Sequence, residues 1–175
     1  MLKYKIQNIK YEIKYAWQRA FRGYDDRAVW NINTWFLDIM PKLLTHMKEN
    51  HCGYPQGLSD NKWEKILGTM STCFTEADED KCSKVNKYQK EYDQMWEDFT
   101  NEFGYFGDKL PQPEKCINEG NVMLYMPSSK EVNRKDWQKI TNKFLAEDAK
   151  IGEYRNKKLQ EGLELFTEYF WNLWD

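Results

Sequence analysis

The chain is short of the residues on which most catalytic and metal sites rest. Histidine occurs only at His46 and His51, and the four cysteines, Cys52, Cys73, Cys82 and Cys116, form no Cys-x-x-Cys pair. The spacings among His46, His51, Cys52, Cys73 and Cys82 match no usual zinc pattern, so thiols in a reducing compartment are expected and no metal or cofactor is assigned. There is no Walker loop, no glycine-rich dinucleotide loop and no Gly-x-Ser-x-Gly elbow, so no catalytic residue is assigned from these motifs. Valine occurs only at positions 29, 85, 122 and 132, and the wealth of Lys, Glu, Asn and Leu favours helix over strand. No apolar run follows Met1-Leu2-Lys3-Tyr4-Lys5, and no stretch approaches the roughly 18 apolar residues of a membrane span. The expectation is a chain that stays in the cytoplasm of the cell that makes it, with no membrane partner.

What is present is aromatic and charged. The 175 residues suffice for one domain with a core that needs no disulfide or metal. Charged residues make up 31% of the chain but cancel to −2, which argues against a wholesale polyanion binder. Aromatics reach 16%, with eight Trp, so a Trp- and Tyr-rich core is expected.

The periodicity predicts an all-α, single-domain irregular bundle of about six helices with a long loop near 104–128. Ile6, Ile9, Ile13, Ala16 and Ala20 mark an apolar face on a first helix over about 3–22, which Gly23 ends. A second helix, capped by Asp25 or Asp26, runs to about Asn50 and should kink or divide at Pro41. Ser59 caps a third helix, with Leu58 and Trp63 at the two positions of a hydrophobic staple. A fourth covers about 83–103. Gly and Pro punctuate 104–128, where Val122–Met126 reads as a short extended piece. Ser128 with Glu131, or Asn133 with Asp136, opens a fifth helix, and a sixth follows Gly152.

The densest polar cluster is Arg22-Gly23-Tyr24-Asp25-Asp26-Arg27 with Trp30 and Asn31. A capped helix corner needs these residue types. A helix start with arginines beside it also suits an anion or a partner, although two carboxylates compete for those arginines. Lys3, Lys5, Lys10, Lys14 and Arg19 of the first helix, interleaved with Tyr4, Tyr11 and Tyr15, offer phosphate contacts and stacking platforms for nucleic acid or a nucleotide. Residues 76–102 hold nine acids against four lysines, so the charge is separated along the chain. Glu76 and Glu79 fit half of the metal-binding pattern of an all-helical nucleotide pyrophosphatase, but no well-spaced second half follows. Tyr169, Phe170, Trp171, Leu173 and Trp174 cannot all face one core from a single helix. Trp171 and Trp174 are therefore candidates for a partner surface or a homodimer contact.

Taken as a set, Arg22-Gly-Tyr-Asp-Asp26, Trp30-Asn31, Pro41, Gly53-Tyr-Pro55, Trp63 with Ile66, Leu67 and Met70, Glu161-Gly-Leu-Glu-Leu-Phe166, Tyr169-Phe170 and Asn172-Leu-Trp-Asp175 resemble a family of small helical proteins. These are encoded by tailed phages, prophages and mobile elements of Gram-positive gut bacteria. The resemblance covers both ends of the chain, skips most of 76–152, and brings no activity with it. It implies an accessory gene product acting in a bacterial host cytoplasm, where such proteins often block a defence system, as anti-CRISPR proteins do. The leading expectation is a non-enzymatic binder of a host protein. A nucleic-acid or nucleotide binder and a metal-dependent nucleotide hydrolase are the alternatives.

Overall fold

The computed structural model describes residues 2–132 and 134–174, with side chains from residue 8 onward. The side chains of Lys3, Tyr4, Lys5 and Ile6, and the cap expected at Asn133, lie outside the described residues. The architecture is all-α, and the described residues form seven α-helices and two short 3-10 turns: α1 Leu2–Arg22, α2 Asp26–Trp30, α3 Ile32–Asn50, α4 Asp60–Ala77, α5 Gln89–Phe103, α6 Glu114–Asn118 and α7 Lys135–Tyr169. The contacts cluster into two compact units. One comprises Met1–Cys82 and Arg155–Asp175, the other Ser83–Tyr154.

In the first unit α3 and α4 pair most extensively. Their core is Leu44, Trp63, Leu67, Met70 and Phe74, with Phe36, Leu159, Phe166 and Tyr169 packed against it. Phe36, Phe74 and Phe166 meet edge to face, the arrangement the ring quadrupole favours. Gly162 lets α7 approach closely, because a Cβ there would stand 2.8 Å from Phe74 Cε1. Ser59 does occupy the N-cap of α4, though it acts through its backbone carbonyl, which accepts from Lys62 and Trp63 N–H. Leu58 packs onto the cluster that holds Trp63, as a staple requires.

The second unit has its own core of Met95, Phe99, Tyr125 and Trp137, and Tyr92 stacks on Phe144 with centroids 4.0 Å apart. Val122–Met126 carries no regular secondary structure, and no strand occurs among the described residues. Gln112 takes the place of a neighbouring strand, its amide accepting from Met123 N–H and donating to Met123 C=O. Tyr125 N–H donates to Phe106 C=O, and the Tyr125 hydroxyl to Pro111 C=O.

Several expectations need correction. The second helix divides at Asn31 (φ −134°, ψ 63°), not at Pro41, through which α3 continues. Pro41 is buried, and its carbonyl accepts from Ser71 Oγ on α4 at 3.0 Å, so tertiary contacts hold the proline in the helix. The fourth helix starts six residues late, at Gln89, because the buried Asn86 diverts the chain: its amide donates to Phe144 C=O and accepts from Tyr88 N–H. The expected fifth and sixth helices are one, α7, and Gly152 lies inside it. The tryptophans are mostly outside the core: of the eight, only Trp63 and Trp137 are buried.

Candidate functional site

The corner between α1 and α2 is a closed ion-pair network. Asp25 caps α2, its carboxylate accepting from Arg27 N–H at 3.0 Å and Ala28 N–H at 3.2 Å, from the Arg27 guanidinium at 3.2 Å, and from Arg19. Burial pushes this carboxyl up, but the Arg27, Ala28 and Arg19 donors outweigh it, and the group sits below the ordinary carboxylate range. Asp26 accepts from Gln18 at 2.8 Å, Lys14 at 2.9 Å and Arg22 at 3.2 Å. Gln18 leads these donors in lowering the Asp26 carboxyl to about 2. The Gln18 amide also accepts from Asp26 N–H at 3.1 Å. Arg22 lies over the Tyr24 ring at 4.7 Å, Arg27 over Tyr15 at 4.3 Å, and Arg27 reaches Glu12 at 3.2 Å.

The corner's cations are thus largely occupied by its own carboxylates. Lys14 and Arg19, offered above for phosphate contact, point into this network. Lys10 is exposed, and the side chains of Lys3 and Lys5 lie outside the described residues. Trp30 is fully outward, and Asn31 forms the break between α2 and α3. Gln18, buried and bonded to Asp26 twice over, escaped the sequence reading. Its signal was present in the row Tyr11, Lys14, Gln18, which repeats at three and four residues opposite the apolar stripe.

The acidic stretch after α4 serves its own unit. Arg155 donates to Ala77 C=O at 3.1 Å and pairs with Glu79 at 3.6 Å, while Lys81 bridges Asp78 and Asp38. Among the described residues, no three His, Cys, Asp or Glu side chains gather as a metal would need. His51 donates from Nδ1 toward Met47 and Lys48 carbonyls and meets Asp60 at 2.9 Å through Nε2. The buried Cys73 thiol donates to Glu161 at 3.8 Å.

The aromatic end of the chain divides between core and surface. Tyr169 rests on Trp63 and Leu173 packs on the core, whereas Trp171 and Trp174 are 84% and 75% exposed. Together with Phe170 they wall a cleft of about 600 Å³, whose other wall is Met40, Leu43 and Met47 of α3. None of these three is among the candidate site residues that the sequence singles out. A helix apolar on more than one side, as α3 is, was the available sign that part of its stripe stays uncovered. No helix among the described residues is long and apolar enough to cross a membrane. No family model, curated protein or solved structure matches the chain.

Proposed function

We propose that this chain is a non-enzymatic binding protein that docks on a host protein and blocks or sequesters it, in the manner of a defence-system antagonist such as an anti-CRISPR. The observation that carries the reading is the cleft between α3 and the chain's aromatic end. Two exposed indoles beside methionine and leucine make a concave apolar surface with adaptable walls, and such surfaces hold the aromatic or aliphatic anchors of a partner. The resemblance to phage and mobile-element accessory proteins supports a reading in which that partner belongs to a bacterial host. The Arg22–Arg27 corner has the supporting part of a scaffold here, since its charges are matched internally.

The test is capture from a bacterial host lysate, followed by reconstitution with the purified partner. A one-to-one complex is expected, weakened at least about tenfold by Trp171→Ala with Trp174→Ala and retained by Arg27→Ala. A complex indifferent to the double tryptophan change, or a self-dimer as the only stable assembly through that end, would sink the reading.

A further inference from the structure

The cleft between α3 and the chain's aromatic end has a polar element as well as apolar walls. Apart from the two indole N–H groups, the polar side chains that line it are His46 and Asn50, one turn apart at the end of α3. Asn50 Nδ2 donates to His46 C=O at 2.8 Å and stands 3.3 Å from His46 Nδ1. An amide nitrogen only donates, so Nδ1 is the acceptor and the neutral ring carries its proton on Nε2. The pair is left with a spare donor, His46 Nε2–H, and a spare acceptor, Asn50 Oδ1. No other group among the described residues bonds either one.

Charge narrows what can lie there. Among the described residues no charged side chain lines the cleft, whereas Asp38, Lys42 and Glu49 of α3 line a separate groove that shares only His46 with it. A carboxylate or an ammonium brought between the walls would lose water without gaining a counter-ion. A peptide group is neutral and carries one acceptor and one donor, which match the spare donor and the spare acceptor. The walls suit a ring beside that group, since methionine sulfur and indole both make favourable contacts with aromatics. A volume of about 600 Å³ admits a group the size of a small ligand.

We infer that the partner enters the cleft through an uncharged segment, with one aromatic side chain between α3 and the indoles and its own peptide group bonded to His46 and Asn50. This rests on the cleft being the docking site, and it adds what the partner must present there: a peptide unit not already bonded within its own helix or sheet. A second copy of this chain exposes Trp17 and Phe21 on α1. Peptide groups inside a helix are bonded to one another, so that helix would bring a ring without the peptide group.

The experiment follows the indole N–H resonances of Trp171 and Trp174 as the full chain is titrated with three probes. N-acetyl-L-phenylalanine methylamide carries the ring and its peptide groups, toluene carries the ring alone, and N-acetyl-L-phenylalanine adds a carboxylate. The methylamide is expected to bind at millimolar concentration, about tenfold more tightly than toluene, with the carboxylate weaker than the methylamide. His46→Phe should bring the methylamide down to the level of toluene while toluene itself still binds, which shows that the cleft is intact. Trp171→Ala with Trp174→Ala, read through the resonances of Met40 and Met47, should weaken all three probes. Equal binding of toluene and methylamide, or a preference that His46→Phe leaves unchanged, overturns the inference and leaves the cleft standing as an apolar docking site. A carboxylate that binds as well as the methylamide overturns it in favour of a free anionic ligand. Indole shifts that move when the chain alone is diluted overturn it in favour of a second copy. If no probe moves either resonance, the inference falls together with the cleft.

Discussion

Asp25 shows how one side chain closes a corner that four cations surround. Its side chain accepts from two N–H groups at the start of α2, those of Arg27 and Ala28, and it neutralises Arg19 and Arg27 while itself buried. Asp25→Ala is expected to cost about 1–2 kcal/mol through the lost cap, with faster amide exchange at Arg27 and Ala28. Asp25→Asn keeps the capping oxygen and should recover part of that loss, as urea unfolding with exchange in α2 would reveal. His51 gives a pH dependence with a definite sign. Its bond to Asp60 raises its pKa above 6.5, burial opposes this, and the Met47 and Lys48 carbonyls add to the rise. A raised folded pKa means that protonated His51 contributes stability fully below about pH 6.5 and loses it as the pH climbs through the folded value. In a His46→Gln background the ring titration can be followed by NMR as the sole histidine. Asp60→Asn should move its midpoint down, and an unmoved midpoint would refute the assignment.

At the scale of elements, local signals were legible and tertiary ones were not. The corner could be read because Gly23 and the Asp pair act within a few residues of one another, and the start of α4 because its cap and staple are equally local. The break at Asn31 and the unbroken α3 at Pro41 could not, since what holds Pro41 is a contact with Ser71, thirty positions away. Gly152 misled for a related reason. A glycine ends a helix when it takes a positive φ, and Gly152 does not, whereas Gly23 stands at 76°. Periodicity likewise reveals an apolar face on α1 without revealing whether anything covers it. The two glycines of α7 therefore predict opposite outcomes. Gly152→Ala meets nothing within 4 Å and should stabilise by about 0.5–1 kcal/mol. Gly162→Ala would drive a methyl into Phe74 and Cys73, at 2.8 to 3.1 Å, and should destabilise by about 1–3 kcal/mol. Thermal melts of the two variants decide the pair, and a stabilising Gly162→Ala would contradict the close approach of α7.

For the whole molecule the question is whether two cores make one cooperative unit. Each unit has a buried methionine at its centre, Met70 in the first and Met95 in the second. Helix α7 belongs to both, with residues 135–154 in one and 155–169 in the other. Ending a helix at that boundary would forfeit its continuing hydrogen bonds and expose new ends, whereas propagation adds a bond for each residue fixed. The physical expectation is a single transition in which circular dichroism and tryptophan fluorescence coincide. Met70→Ala and Met95→Ala should each shift that one transition, by about 2–5 kcal/mol. Gly152→Pro tests the link itself. Proline at this position removes a hydrogen bond and clashes with the preceding turn, a cost of about 3 kcal/mol that falls where one unit gives way to the other. Both cores would survive the change but lose the unbroken run of helical hydrogen bonds in α7, so the melt should split into two steps. Each methionine substitution, placed in the proline background, should then move only its own step. A melt that stays single in the proline variant would show that the units are coupled by more than α7.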